Sequence, residues 1–246
     1  MNAKAVDHKV EDDAIRLNQA LEALSSPGDR VALIAERYGD SALATTSFGA
    51  QSAVMLHLLK QHAPQIPIIF IDTGYLFPET YQFAERLIKT WDLNIKVYHP
   101  QMSAARLEAL YGKLWEQGEK GLEKYGVMTK VEPMHRALQE HGGNVWLSGV
   151  RRAQASTRAN RTFAEAQKAT VKVYPIIDWT DDDVSTYMEA HDLPLHPLVR
   201  QGYVSIGDWH STKPLEAGMT AEETRFDGMK RECGLHLPSD DQDFQI

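Results

Sequence analysis

The chain has 246 residues, of which 43% are hydrophobic and 24% charged, and its formal net charge at pH 7 is −8. That length holds one large α/β domain or one domain with a substantial tail, at the composition of an ordinary soluble protein. The acidic balance argues against nonspecific nucleic-acid binding, no apolar run approaches the roughly 18 residues of a membrane span, and Met1-Asn2-Ala3-Lys4 lacks the apolar core of a signal peptide.

Residues 13–38 read as two short helices: Ile15, Leu17, Leu21 and Leu24 recur at helical spacing before Pro27-Gly28 interrupts them. Residues 42–46 form a strand candidate, followed by Ser47-Phe48-Gly49-Ala50-Gln51-Ser52 and a helix over about 53–61. Residues 66–71 read as a buried strand, Pro78 opens a helix to about Thr90, and 94–98 read as a third strand. A fourth strand, 144–148, ends in Gly149, and a fifth covers 171–174. Thr180, followed by three aspartates, caps a helix to about His191. Strands alternating with crossovers this long predict a parallel sheet with helices on both faces, and such sheets bind ligands at the C-terminal ends of their strands. From about Gln201 the periodicity fades into a segment punctuated by Gly202, Gly207, Pro214, Gly218, Gly228 and Gly234.

Several polar motifs follow strands directly. In the 47–52 turn, Ser47, Gly49 and Ser52 leave backbone N–H groups and hydroxyls for a phosphate, at a helix N-terminus of favourable polarity. It is not a Walker loop, because no Gly-Lys-Ser/Thr ending is present. After the second strand, Asp72, Thr73 and Gly74 open the string Asp72-Thr73-Gly74-Tyr75-Leu76-Phe77-Pro78-Glu79-Thr80, where they either meet a ligand or cap the turn into the next helix. Lys130, in Lys130-Val131-Glu132-Pro133, is a candidate point cation for phosphate or sulfate. After the fourth strand come Arg151, Arg152, Arg158, Arg161 and Lys168, with Glu165 as the one acid among them. Such a concentration of cations in an acidic chain suggests a small anionic ligand, since guanidinium groups bind phosphate and sulfate with paired hydrogen bonds. The run 196–212, with His196, Tyr203, Trp209 and His210, reads either as ligand-binding or as an ordered Gly-rich loop.

The single cysteine, Cys233, sits in Lys230-Arg231-Glu232-Cys233-Gly234-Leu235-His236. Alone it cannot close an intrachain disulfide or supply a multi-cysteine metal or iron–sulfur site. Two cations and a histidine nearby favour a thiolate, whereas burial as a small hydrophobe is the commonest fate of a free cysteine. His236 either assists that thiolate or is a plain exposed histidine. Zinc ligation by Cys233, His236, His210 and His196 is conceivable by ligand type, but nothing fixes their spacing.

Taken together, Ser-x-Gly-x-x-Ser at 47–52, the Asp72–Thr80 string, Lys130-Val131-Glu132-Pro133, Gly149-Val150-Arg151-Arg152 with Arg158, Arg225, and Glu232-Cys233-Gly234-Leu235-His236 resemble the sulfonucleotide reductase family over about residues 30–236. The resemblance implies an adenine-nucleotide α-hydrolase-like (PP-loop) fold. It implies a helical segment at 1–40, a nucleotide-binding α/β domain at 41–210 and a C-terminal tail at 211–246 that carries the catalytic cysteine and closes as a lid. Implied substrate contacts are Ser47, Phe48, Gly49, Gln51, Ser52, Asp72, Thr73, Gly74, Lys130, Arg151, Arg152, Arg158, Arg225 and Arg231, with Cys233 and His236 in catalysis and no metal.

Family members acting on adenylyl sulfate carry cysteine pairs for a [4Fe–4S] cluster, and this chain has one cysteine. The resemblance therefore points to the cluster-free members that act on 3′-phosphoadenylyl sulfate, with reduced thioredoxin or glutaredoxin as co-substrate, sulfite as product and an S-sulfocysteine intermediate. A cytoplasmic homodimer in sulfate assimilation and cysteine biosynthesis is the accompanying expectation. The alternatives are a cluster-free adenylyl-sulfate reductase and a PP-loop ATP pyrophosphatase. The latter predicts Ser-Gly-Gly-x-Asp-Ser where this chain has Phe48, Ala50 and Gln51, and it leaves Cys233 without a task.

Overall fold

The central strands are short and apolar on both sides, so helices must cover each face of the sheet. The computed structural model describes residues 8–221 and 223–226. Its elements, in order, are α1 (His8–Glu22), α2 (Pro27–Tyr38), β1 (Ala42–Thr46), α3 (Ser52–His62), β2 (Ile68–Ile71), α4 (Pro78–Trp91), β3 (Ile95–Tyr98) and α5 (Ala104–Tyr111). Then follow α6 (Gly118–Gly126), α7 (Glu132–Glu140), β4 (Val145–Leu147), β5 (Ala164–Gln167), β6 (Thr170–Val173) and α8 (Asp181–Ala190).

The six-stranded sheet has the order β3-β2-β1-β4-β6-β5, and every pair is parallel except the antiparallel β5–β6 edge. In register, Ala44 stands opposite Ile68 on one side and Leu147 on the other. Alternation then divides the core. Ala42, Ala44, Ile68, Phe70, Val145 and Leu147 join the larger cluster with residues of α1–α4 and α8, while Leu43, Ile69 and Trp146 pack with Met134 and Ala137 of α7. Helices thus lie on both faces of a mostly parallel sheet, as the alternation of elements predicts.

Three features differ from the sequence expectation. The strand expected at 66–71 starts at Ile68, because Pro67 accepts a bond from Ala44 N–H (2.9 Å) but has no N–H to donate. β5 was not expected; it pairs with β6 through a turn in which Lys168 holds a left-handed φ of +53°. No glycine or asparagine marks that turn, so the usual hairpin signal is missing. Finally, 118–140 forms one helical rod in which a π turn, Val127–Val131, joins α6 to α7. Thr129 Oγ1 donates to the Tyr125 carbonyl (2.7 Å) there. The inserted residue rotates the rod so that Thr129 and Lys130 are both buried.

Both ends of the described chain are tied to this body. Asn18 Oδ1 of α1 accepts bonds from the backbone N–H groups of Phe163 (2.8 Å) and Ala164 (3.3 Å). At the other end Thr212 bridges Arg225, Lys213 N–H donates to the Thr224 carbonyl (3.0 Å), and Thr224 and Phe226 are buried. No helix among the described residues is long and apolar enough to cross a membrane.

Arg30 fastens the N-terminal helices to the sheet. Its guanidinium donates to the carbonyls of Leu21 (3.3 Å), Leu24 (3.0 Å) and Pro175 (2.9 Å), and to both carboxylate oxygens of Asp178 (2.8 and 2.9 Å). It also lies 4.2 Å from the Phe163 ring centroid. Replacing it strands three carbonyls and a carboxylate, so Arg30→Ala should lower unfolding free energy by about 3 kcal/mol. Urea denaturation measures this, and a loss under ~1 kcal/mol would show that α1 and α2 are held by apolar packing alone.

Candidate active site

The strand order reverses between β1 and β4, since β1 leads through α3 to β2 on one side while β4 leads to β6 on the other. Loops leaving these two strands diverge and open a crevice, the usual ligand position in an open parallel sheet. The 47–52 loop leaves β1 there. Phe48 adopts a φ of +47° and buries its ring edge-on against Phe70, at 4.9 Å between centroids. Core packing therefore holds a left-handed residue at the loop. The consequence for Phe48 is that its ring anchors the loop and only its backbone is available to a ligand. Ser47 is exposed, and Ser52 Oγ donates to the Gly49 carbonyl (2.8 Å), closing the turn into α3.

From β4 comes Arg151, whose side chain is 2% exposed. It donates to Gln51 Oε1 (2.5 Å), to Asp181 Oδ1 (2.7 Å) and to the Trp179 carbonyl (3.3 Å). One guanidinium thus joins the β1 loop, the β4 loop and the first turn of α8. The other cations of this stretch diverge. Arg152 donates to the Arg161 carbonyl (2.7 Å), Arg158 to Gln154 Oε1 (2.6 Å), and Arg161 to Glu165 (2.6 Å) and the Tyr174 hydroxyl (2.7 Å). Lys168 lies on the β5–β6 turn. The cations are therefore distributed along a loop, with Arg151 alone at the crevice floor. Arg152, Gln154, Ser156 and Thr220 help to line a groove of about 440 Å³ beside it.

The loop after β2 supplies Asp72, Thr73 and Gly74. Asp72 Oδ1 accepts from Gly74 N–H (2.8 Å) and the Tyr81 hydroxyl (2.7 Å), and Gly74 takes a φ of +79°, which a side chain would strain. Thr73 is buried and donates to Asp208 Oδ1 (2.6 Å). Lys130, carried by the π turn, reaches the same carboxylate (2.5 Å). Arg225 also arrives here, donating to the Ser211 carbonyl and Ser205 Oγ (both 3.3 Å). Its guanidinium passes so close to Gly207 that a Cβ at that position would collide with it.

Of the predicted residues, those of 47–52, 72–74, 130, 151 and 225 are placed around the ends of three neighbouring strands, β2, β1 and β4, whereas Arg152 and Arg158 stand along the loop beyond. Arg231, Cys233 and His236 lie outside the described residues. Sequence reasoning missed Asp208, and Asp181 as an Arg151 partner. A buried aspartate has no sequence signal of its own, because acids are mostly exposed.

His196 is not at the crevice. It is fully buried, its Nδ1 accepting from Leu198 N–H (3.2 Å), which leaves Nε2 to donate to Thr80 Oγ1 (3.1 Å). His210 stacks on Trp115, with 3.9 Å between centroids and 9° between planes. The separation of these two histidines by their partners gives the zinc reading no support, and no group of three or more His, Cys, Asp or Glu able to hold a metal occurs among the described residues.

The family model for the phosphoadenosine phosphosulfate reductase domain matches residues 41–214. The chain belongs to this family. A phosphoadenosine 5′-phosphosulfate reductase of Xylella fastidiosa is 54% identical over 225 residues, covering 92% of this chain and 94% of that protein. One from Xanthomonas euvesicatoria is 51% identical over 234 residues, covering 95% and 97%. The crystal structure of phosphoadenylyl-sulfate reductase from Candida auris, a phosphate complex, superposes with a TM-score of 0.71 at 31% identity, over 82% of this chain and 97% of that one. An FMN adenylyltransferase of Candida glabrata shares the fold alone, with a TM-score of 0.57 at 13% identity over 91% and 84%. Membership of the phosphoadenosine phosphosulfate reductase family makes the chain an oxidoreductase acting on a sulfonucleotide.

In this reductase His196 and His210 also set an acid limit. Burial lowers both imidazoles to about 4. Protonating His196 would turn Nδ1 into a donor facing the Leu198 N–H. Because the folded value lies below the unfolded one near 6.5, the unfolded chain binds more protons between the two, and stability falls as pH drops from about 6.5 to about 4. The urea midpoint should decline across that window, and His196→Gln should flatten the decline while lowering stability at pH 7. An unchanged slope in the variant would place the acid sensitivity elsewhere.

Proposed function

We propose that the chain reduces 3′-phosphoadenylyl sulfate to sulfite and adenosine 3′,5′-bisphosphate, drawing electrons from thioredoxin or glutaredoxin. The observation that carries the reading is the meeting of the 47–52 loop with Arg151 at the strand-order reversal, in a chain whose only thiol is Cys233. The names of the Xylella and Xanthomonas relatives support the same substrate.

The thiolate of Cys233 attacks the sulfur of the sulfuryl group. The S–O bond to the 5′-phosphate breaks, its electron pair leaves on the phosphate oxygen, and Cys233 becomes S-sulfocysteine. Lys130, Arg151 and Arg225 are the cations that meet the growing phosphate charge, in a crevice where fixed donors act more strongly than in water. A donor thiolate then attacks Sγ of Cys233 and expels sulfite, and the donor's second thiol resolves the mixed disulfide. Two electrons thus pass from the donor dithiol to sulfur, and the Cys233 thiolate is regenerated. Since the chain has no second cysteine, the resolving thiol comes from another protein. Lys230, Arg231 and His236 are the neighbours in sequence that favour the thiolate.

A substrate with a separate 3′-phosphate calls for more cationic donors than adenylyl sulfate does, and Arg152 and Arg158 beside the 440 Å³ groove are the candidates. Cys233→Ser should abolish sulfite formation while adenosine 3′,5′-bisphosphate still binds; steady-state turnover in that variant would sink the covalent mechanism. Arg158→Ala should weaken binding of adenosine 3′,5′-bisphosphate about tenfold and leave AMP nearly unchanged. Calorimetric titration of both nucleotides reads the difference, and equal losses would remove the 3′-phosphate role and favour adenylyl sulfate as substrate.

A further inference from the structure

Asp208 is the most deeply buried carboxylate near the crevice, its side chain 1% exposed. Its backbone is pinned on both sides. It bridges Leu76, Trp209 N–H donates to the Tyr75 carbonyl (2.9 Å), and the Asp208 carbonyl accepts from Ser211 Oγ (3.2 Å) and Thr212 Oγ1 (2.9 Å). Its carboxylate is held by Thr73 Oγ1 (2.6 Å) and paired with Lys130 Nζ (2.5 Å). Burial alone would push this carboxyl up, but Lys130, Thr73 and His210 together hold it below the ordinary carboxylate value.

Such a pair is a poor stabilising device, because desolvating two charges costs about what their attraction returns. It is, however, an effective way to fix one ammonium in direction. A lysine side chain has four rotatable carbons and three N–H donors. Lys130 is nine-tenths buried on the π turn, lies 5.8 Å from the Tyr125 ring centroid, and has Asp208 as its one recorded acceptor among the described residues. The remaining donors are directed from a point beside Thr73, at the end of β2. Arg225 brings a second cation close by, its guanidinium lying against Gly207, the residue preceding Asp208.

We propose that Asp208 is a positioning residue: held by Thr73, it aims the ammonium of Lys130 at the leaving phosphate and acts on the reaction only through Lys130. This rests on the reading of Lys130 as a substrate contact. The ammonium stays within hydrogen-bond reach of a charge that grows only as the S–O bond breaks, so the benefit falls on the chemical step more than on nucleotide affinity.

The test is the release of adenosine 3′,5′-bisphosphate from 3′-phosphoadenylyl sulfate in a single turnover without thioredoxin, paired with calorimetric binding of adenosine 3′,5′-bisphosphate. Asp208→Asn, which keeps an acceptor for Thr73, should slow the single turnover about 20-fold or more with product affinity within about threefold. Lys130→Met should slow it about 100-fold or more, and Lys130→Met/Asp208→Asn should match Lys130→Met alone. A wild-type rate in Asp208→Asn, a further 20-fold loss in the double variant, or a matched loss of rate and product affinity would each overturn the proposal. A wild-type rate in Lys130→Met would instead remove the reading of Lys130 itself, whatever Asp208→Asn does. Should Asp208→Asn fail to fold, Asp208→Glu moves the ammonium without stranding it. The same split between rate and affinity is then expected, and a wild-type rate would overturn the role.

Discussion

Between β1 and β4 the strand order reverses, and one guanidinium occupies the gap that results. Arg151 is nearly inaccessible to water, and a cation in that position requires acceptors on every side. Gln51 comes from the loop after β1, Asp181 from the first turn of α8, and the Trp179 carbonyl from the chain entering α8. None of the three is close to Arg151 in sequence. Their convergence fixes where the phosphate-facing loop stands relative to the strands that flank it. Asp181 is 74% exposed, so water screens its share of the attraction. The amide and the carbonyl then carry much of the hold, and the cation keeps its field on the crevice side.

The same device recurs across the site. The chain is acidic overall, yet each cation at the crevice is restrained by an acceptor from another segment: Lys130 by Asp208, Arg151 by Gln51, Arg225 by Ser205 and the Ser211 carbonyl. Free cations on flexible side chains would have to be ordered when an anion arrives, at a cost in side-chain entropy. Cations already ordered lower that cost at the moment of reaction. The deeply buried Lys130 is paired with a carboxylate that is itself buried.

The part of the fold legible in the sequence is the part governed by local rules. Strands β1, β2 and β4 announce themselves because burial on both faces demands continuous apolar runs. α8 was marked by Thr180, whose hydroxyl and Asp183 close a reciprocal cap (3.1 and 2.7 Å). β5 was silent, since Ala164-Glu165-Ala166-Gln167 has neither β-branched residues nor a turn signal after it. In the rod of α6 and α7, Gly118, Gly121 and Gly126 obscured a helix whose register is reset by a π turn. At the site, motif residues were legible while their partners were not. The ring of Phe48 is buried against Phe70 and holds the loop, and Asp208, which lies in a run that reads as either ligand-binding or an ordered loop, is the buried counter-charge of Lys130. Both depend on contacts between segments far apart in the chain, which no local pattern reports.

The Arg225 segment is also tied to the site: Thr212 bridges Arg225 and Phe226 is buried, so this stretch is fastened to the loop that carries Asp208. Arg225 is thereby a crevice cation fixed through its backbone as well as its side chain. Cys233 follows eight residues later in the sequence, a contour of at most about 29 Å. That contour bounds the separation between the proposed nucleophile and the Arg225 anchor, and it is the length constraint that the covalent step has to satisfy.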